Sequence, residues 1–213
     1  MRIYGTAPNT YALSDTGYRA ELEEATALAA KIGQPFWVTA GQIWMAHEAV
    51  RSKGAAAALP EMEAALQTMH AIGLKLGGAY HEAMLAYCYA CAGRPGPARS
   101  SIGTALAALE AGRDLIYAPE VHRLAAEISL SDGGAGPEEA EAALAHAAQL
   151  AARAGTRAWA ALIAASQARL SSHSTGQQKA ECWLHGELDA LALPGSELHP
   201  AFKTARLAFA HPI

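Results

Sequence analysis

Apolar residues recur at helical spacing in one segment after another. Met62, Leu66, Met69 and Ile72 step by four, three and three. Leu22, Ala25, Ala29 and Ile32 make the same stripe earlier, and Leu106 and Leu109 continue it later. Between these lie second stripes, Ile43–Ala46–Val50 and Ala83–Tyr87–Ala90. A period near 3.6 over such lengths predicts amphipathic helices. Glycine punctuates them at a regular interval: Gly33, Gly73, Gly112 and Gly155, about 40 residues apart. Glycine suits the position after a helix end, where the chain enters the left-handed region without a Cβ penalty. An aromatic follows each break: Phe36 and Trp37, Tyr80, Tyr117, Trp159. A second helix then closes in a polar or Gly-rich turn at Lys53-Gly54, at Gly93 to Gly96, at Asp132 to Gly134, and from His173 to Gly176.

The unit is therefore helix, short turn, helix, longer turn. Pro35, Pro60, Pro97 and Pro137 are expected at or just inside helix starts, where the missing N–H costs nothing. Single helix pairs cannot bury their stripes, whereas stacked pairs can. Four units are expected from about Glu21 to His173, with a poorer capping pair over 177–191 and 197–210. The fold class is all-α, a tetratricopeptide-like (TPR-like) α-solenoid. Such an array is a right-handed superhelix of antiparallel helix pairs, here about 10 helices. The expected organisation is an irregular or remnant helical segment over 1–16, four pairs over 17–173, and a cap over 174–213.

Composition supports this. Alanine fills about a quarter of the 213 residues, and only 7 % are aromatic. Alanine is the best helix former and lets helices approach closely; a sheet would demand more β-branched and aromatic residues. The formal charge is −4 with no basic block, which argues against nucleic-acid binding. No apolar run reaches the length of a membrane span, and the first residues lack the apolar core of a secretory signal. Three cysteines show no framework spacing. The expectation is a cytoplasmic protein with neither membrane nor nucleic acid as partner.

The stretch from Ala118 to Leu130, APEVHRLAAEISL, carries a pattern of the form E-x-H-R-L-x-x-E-x-x-L, met by Glu120, His122, Arg123, Leu124, Glu127 and Leu130. The run from Gly136 to Leu170 adds an Ala-Glu-Ala start, a Gly-x-Arg-x-Trp junction and an Ala-Arg-Leu close. On these residues the chain resembles the C-terminal TPR region of bacterial signalling proteins that join a nucleotide cyclase, an AAA-type ATPase and a TPR tail. The TPR sensor regions of MalT/LuxR-type regulators are similar. The resemblance spans roughly residues 20–210 and implies a regulatory scaffold. The phosphate-binding G-x-x-x-x-G-K-[ST] loop of an ATPase is absent from these 213 residues, and neither an ATPase site nor a cyclase domain is expected within them.

Candidate chemistry is sparse. Cys88 and Cys91 form C-Y-A-C near a helix end, where buried small hydrophobes are a better reading than a redox or zinc pair. His47-Glu48 and His81-Glu82 lack the second histidine of a zinc-protease helix; they are expected at the surface or half-buried. Phe36, Trp37, Trp44, Tyr80, Tyr87, Tyr89, Tyr117 and Trp159 fit packing between units better than a ligand pocket, while Trp183 is out of phase. Glu138, Glu139 and Glu141 fit a solvated first turn. No catalytic, metal or cofactor residues are expected.

What remains is the inner face of the first helices, which arrays of this kind present along a concave groove. Glu23, Glu63, Gln67, His70, Glu110 and Gln149 occupy similar phases there and are the candidates for gripping a protein or peptide. A MalT-type small-molecule sensor is the alternative, and an enzyme built on Cys88, Cys91 or a histidine is a third, weaker reading. An open N-terminal end of the array would expose apolar surface that a second copy could cover.

Overall fold

The computed structural model describes residues 18–131 and 133–171. Among them are eight α-helices and no strand: α1 (Tyr18–Lys31), α2 (Pro35–Lys53), α3 (Ala55–Ala71), α4 (Gly78–Cys91), α5 (Pro95–Glu110), α6 (Ala118–Ser131), α7 (Pro137–Ala154) and α8 (Arg157–Ser171), with a 3-10 turn at Leu115–Tyr117. This all-helical content is consistent with an α-solenoid. The expected segments over 1–16 and 174–213, including Trp183, lie outside the described residues.

One hydrogen-bond pattern ends six of these helices. Gln34 N–H reaches Ala29 O at 2.9 Å, Leu74 reaches Met69 at 3.1 Å, Arg94 reaches Tyr89 at 2.9 Å, Arg113 reaches Ala108 at 3.1 Å, Gly134 reaches Ser129 at 2.9 Å, and Thr156 reaches Ala151 at 3.0 Å. The residue before each is a glycine at positive φ, between 65° and 73°. This is the six-to-one closure of a Schellman turn. The sequence punctuation at Gly33, Gly73, Gly112 and Gly155 thus marks real helix ends.

The chain divides into two compact units at Tyr117/Ala118. In the first, α1 packs on α2, α2 on α3 and α4, α3 on α4, and α4 on α5. Its core holds Leu22, Ile43, Trp44, Met62, Met69, Tyr80 and Met84. Alanines at the crossings are equally buried: Ala40, Ala49, Ala58, Ala83 and Ala105. In the second, α6, α7 and α8 pack on one another around Val121, Leu124, Leu144, Trp159, Leu162 and Ile163.

Four expectations need correction. Cys91, expected with Cys88 as a buried small hydrophobe, is exposed at the last position of α4. Pro60 is not at a helix start: α3 begins at Ala55, because the Ala55–Ala58 run has enough helix propensity to extend the helix upstream of it. Ile32 and Ile72 belong to the apolar stripes by spacing yet are 60 % and 43 % exposed. Each directly precedes its turn glycine, so the stripe outruns the packed part of the helix. His47 and His81 are buried, not superficial; both fall on the inward face of their helices, beside Ile43 and Met84.

Candidate functional site

An open cavity of about 400 Å³ lies among α1, α2 and α3. Arg19 contributes from α1, Gln42 and Met45 from α2, and Glu61, Ala64 and Thr68 from α3. On α3 the cavity residues step by three and four, one continuous stripe. They flank the buried Met62–Leu66–Met69 core on one side. Glu63, Gln67 and His70 flank it on the other. Arg19 is fixed across the helix pair: its Nη1 donates to Glu48 Oε2 at 2.6 Å and its Nε to Glu23 Oε1 at 2.9 Å. The hydrogen bond to Glu48 is the main reason that its guanidinium holds its proton even more firmly than usual. The cavity therefore joins a fixed cation, a carboxylate, an amide, a hydroxyl and a thioether with alanine between them. Such a lining can recognise backbone and side-chain groups of a peptide; the Thr68 hydroxyl donates back to Ala64 O at 2.9 Å.

The six residues expected on the inner face fall into two groups. Glu63 accepts a hydrogen bond from the Tyr89 hydroxyl at 2.7 Å, and Arg94 stands 3.6 Å from the same oxygen. His70 Nε2 is 3.3 Å from Glu82 Oε1. Both thus join α3 to α4 and its following turn, while Glu23 pairs with Arg19. Gln67, Glu110 and Gln149 are exposed and have no side-chain partner among the described residues. Glu61, Ala64 and Thr68 were legible in principle as a second stripe, but a solvated face shows the same letters.

The other conspicuous residues are occupied structurally. Trp44 and Tyr80 lie 5.4 Å apart between ring centroids, and Tyr80 stacks on Tyr117 at 4.8 Å with planes 8° apart. This joins α2, α4 and the 3-10 turn. Burial pushes the Tyr117 hydroxyl up to about 12, with Asp114 adding to it. Cys88 is buried, and burial pushes its thiol up to about 12, so it does not supply a thiolate near neutral pH. His81 Nδ1 sits 3.1 Å from Met69 Sδ; full burial, helped by the charge on His70, lowers its pKa to about 3. Glu138, Glu139 and Glu141 are exposed, and Glu139 accepts from the Gly136 N–H at 3.3 Å. Among the described residues no three His, Cys, Asp or Glu side chains gather closely enough to hold a metal.

The second unit contains a buried polar network on the E-x-H-R-L-x-x-E pattern. Arg123 Nε and Nη2 donate to the two oxygens of Glu120, both at 2.7 Å. Its Nη1 reaches Ser166 Oγ at 3.1 Å and Glu127 Oε1 at 2.9 Å. Ser166 donates to Glu127 at 2.6 Å, and Arg169 pairs with the same carboxylate. Burial pushes Glu120 upward, with Arg123 opposing. Burial acts on Glu127 the same way, but Arg123 and Arg169 outweigh it and hold that carboxyl at about 2. Ser166 had no local sequence signal and Arg169 figured only in the Ala-Arg-Leu close, since both meet α6 only through the fold. The network sets two guanidinium groups against two carboxylates and ties α6 to α8 as a clasp.

Comparison with protein-family models, with curated proteins and with solved structures finds no match. No helix among the described residues is long and apolar enough to cross a membrane.

Proposed function

We propose that this chain is a TPR-like helical scaffold that binds a protein segment in the cavity among α1, α2 and α3, and that its role is regulatory and not catalytic. The observation that carries this is the cavity itself: about 400 Å³, open, mixed in polarity and built on three packed helices. The repeating Schellman closures support an array of equivalent helix hairpins. The cyclase–ATPase–TPR resemblance of the Ala118–Leu130 stretch favours a bacterial signalling setting, with a neighbouring domain or partner protein as the guest. Trp44, Tyr80 and Tyr117, three of the aromatics that a small-molecule sensor would use, are taken up by stacking in the core, which favours the protein-binding reading.

The test is site-specific photocrosslinking. A benzophenone side chain replaces Ala64 in the cavity or, as a control, exposed Ala107 on α5. A discrete crosslinked partner is expected from position 64 only, and Glu61→Lys should abolish it. No crosslink from position 64, or one indifferent to Glu61→Lys, would overturn the reading.

A further inference from the structure

Leu28 stands on the outer side of α1 and Ile32 in the turn just past its end, and they are 57 % and 60 % exposed. The opposite side of the helix, with Leu22 and Ala29, is buried against its own unit. Leu28 therefore belongs to a face that this unit leaves uncovered. Glu24, Ala27 and Lys31 share that outer face, all of them exposed. Glu24 and Lys31 have no ion-pair partner among the described residues. They are seven residues, two helical turns, apart, with Ala27 and Leu28 midway.

That arrangement is self-complementary. If two α1 helices cross antiparallel about a two-fold axis between positions 27 and 28, each Leu28 meets the small Ala27 of the other copy. Each Glu24 then meets the other copy's Lys31, and the two helix dipoles oppose favourably. A parallel pairing would set Glu24 on Glu24 and Lys31 on Lys31. The charge pattern thus selects one geometry and one occupant.

We propose that a second copy of this chain docks on the outer face of α1, in an antiparallel isologous dimer closed by two Glu24–Lys31 pairs over Leu28. Fourteen residues of helix span only about 21 Å. The contact is therefore below the size of a standard stable interface, and the dimer is a weak, concentration-dependent one.

Sedimentation velocity on the full chain, from about 10 µM to ~1 mM, tests it. A monomer–dimer equilibrium is expected at low salt. Glu24→Lys alone and Lys31→Glu alone should each weaken it by about tenfold or more, the two together should restore it, and Leu28→Gln should weaken it. All these positions are exposed, and circular dichroism verifies that each variant stays folded. Monomer at every concentration would overturn the proposal, as would a dimer indifferent to Leu28→Gln or a double charge swap that fails to restore association. The cavity lies at a different set of residues, so crosslinking from position 64 reports on the guest independently of this equilibrium.

Discussion

Gly41 lies where α2 presses on α1. A Cβ there would sit 2.0 Å from Thr26 Oγ1 and 3.1 Å from Thr26 Cβ. The hydroxyl could rotate away, but Thr26 Cβ is fixed to the backbone. Gly→Ala inside a helix ordinarily gains up to about 1 kcal/mol, whereas overpacking costs about 1–3 kcal/mol. Gly41→Ala is therefore expected to destabilise the protein by about 1–2 kcal/mol, and adding Thr26→Ala should recover part of the loss. Gly103, in the middle of α5, gives the opposite sign. Nothing lies within 4 Å of a Cβ there, so Gly103→Ala should stabilise by about 0.5–1 kcal/mol. Urea midpoints of the three variants check both signs. At this scale the sequence was ambiguous: both residues read as glycine within a helical stretch, and only the packed neighbour distinguishes them.

At the scale of elements, Asp114 shows what periodicity alone misses. Its carboxylate accepts from Gly77 N–H at 2.9 Å and from Ala79 N–H at 3.1 Å, capping α4 from 35 residues downstream. It does so from a left-handed backbone at φ 55°. Asp114→Ala removes the cap, for about 1 kcal/mol, and puts alanine where it is strained. Asp114→Asn tolerates the same backbone and keeps one acceptor, so it should retain most of the stability; thermal unfolding of both separates the two contributions. The clasp between α6 and α8 is a stronger case. Arg123→Met leaves Glu120 buried without its bidentate partner and should cost about 3–5 kcal/mol. Replacing Glu120 by Met as well should recover much of that, because Arg169 still holds Glu127. A double-mutant cycle measures the coupling. Helix ends and stripes were legible in the sequence because each is set by residues close along the chain. The cap, the clasp and the cavity join residues from different helices, and the burial of His47 and His81 required knowing which side of α2 and α4 faces inward. Even the expected polar stripe on α3 divided once neighbours were present: Glu63 and His70 reach toward α4, leaving Gln67 exposed.

For the whole molecule these placements set a pH dependence. His81 is neutral in the fold, with its pKa lowered from 6.5 to about 3. Below pH 6.5 the unfolded chain takes up a proton that the folded chain refuses. Stability therefore falls as pH drops through that window, by up to about 1.4 kcal/mol per pH unit. His122, lowered by burial and by His146 with the two rings 4.9 Å apart, adds in the same direction in the second unit. Glu127 joins later: its pKa falls from 4.5 to about 2, so its contribution is present above pH 4.5 and lost progressively down to about 2. Glu120 opposes this, since its raised pKa makes the folded state the better proton acceptor on acidification. Between pH 6.5 and 4.5 the histidines dominate. His81 alone can remove about 2.7 kcal/mol over those two units, a large share of a typical domain's 5–15 kcal/mol. Urea unfolding at half-unit steps from pH 7.5 to 4.5 should show the midpoint falling once pH passes below about 6.5. His81→Leu keeps an apolar side chain beside Met69 and removes the titration. It should flatten the pH slope of the first unit whatever it does to stability at pH 7.5, and an unchanged slope would show that His81 is not the group that protonates on unfolding.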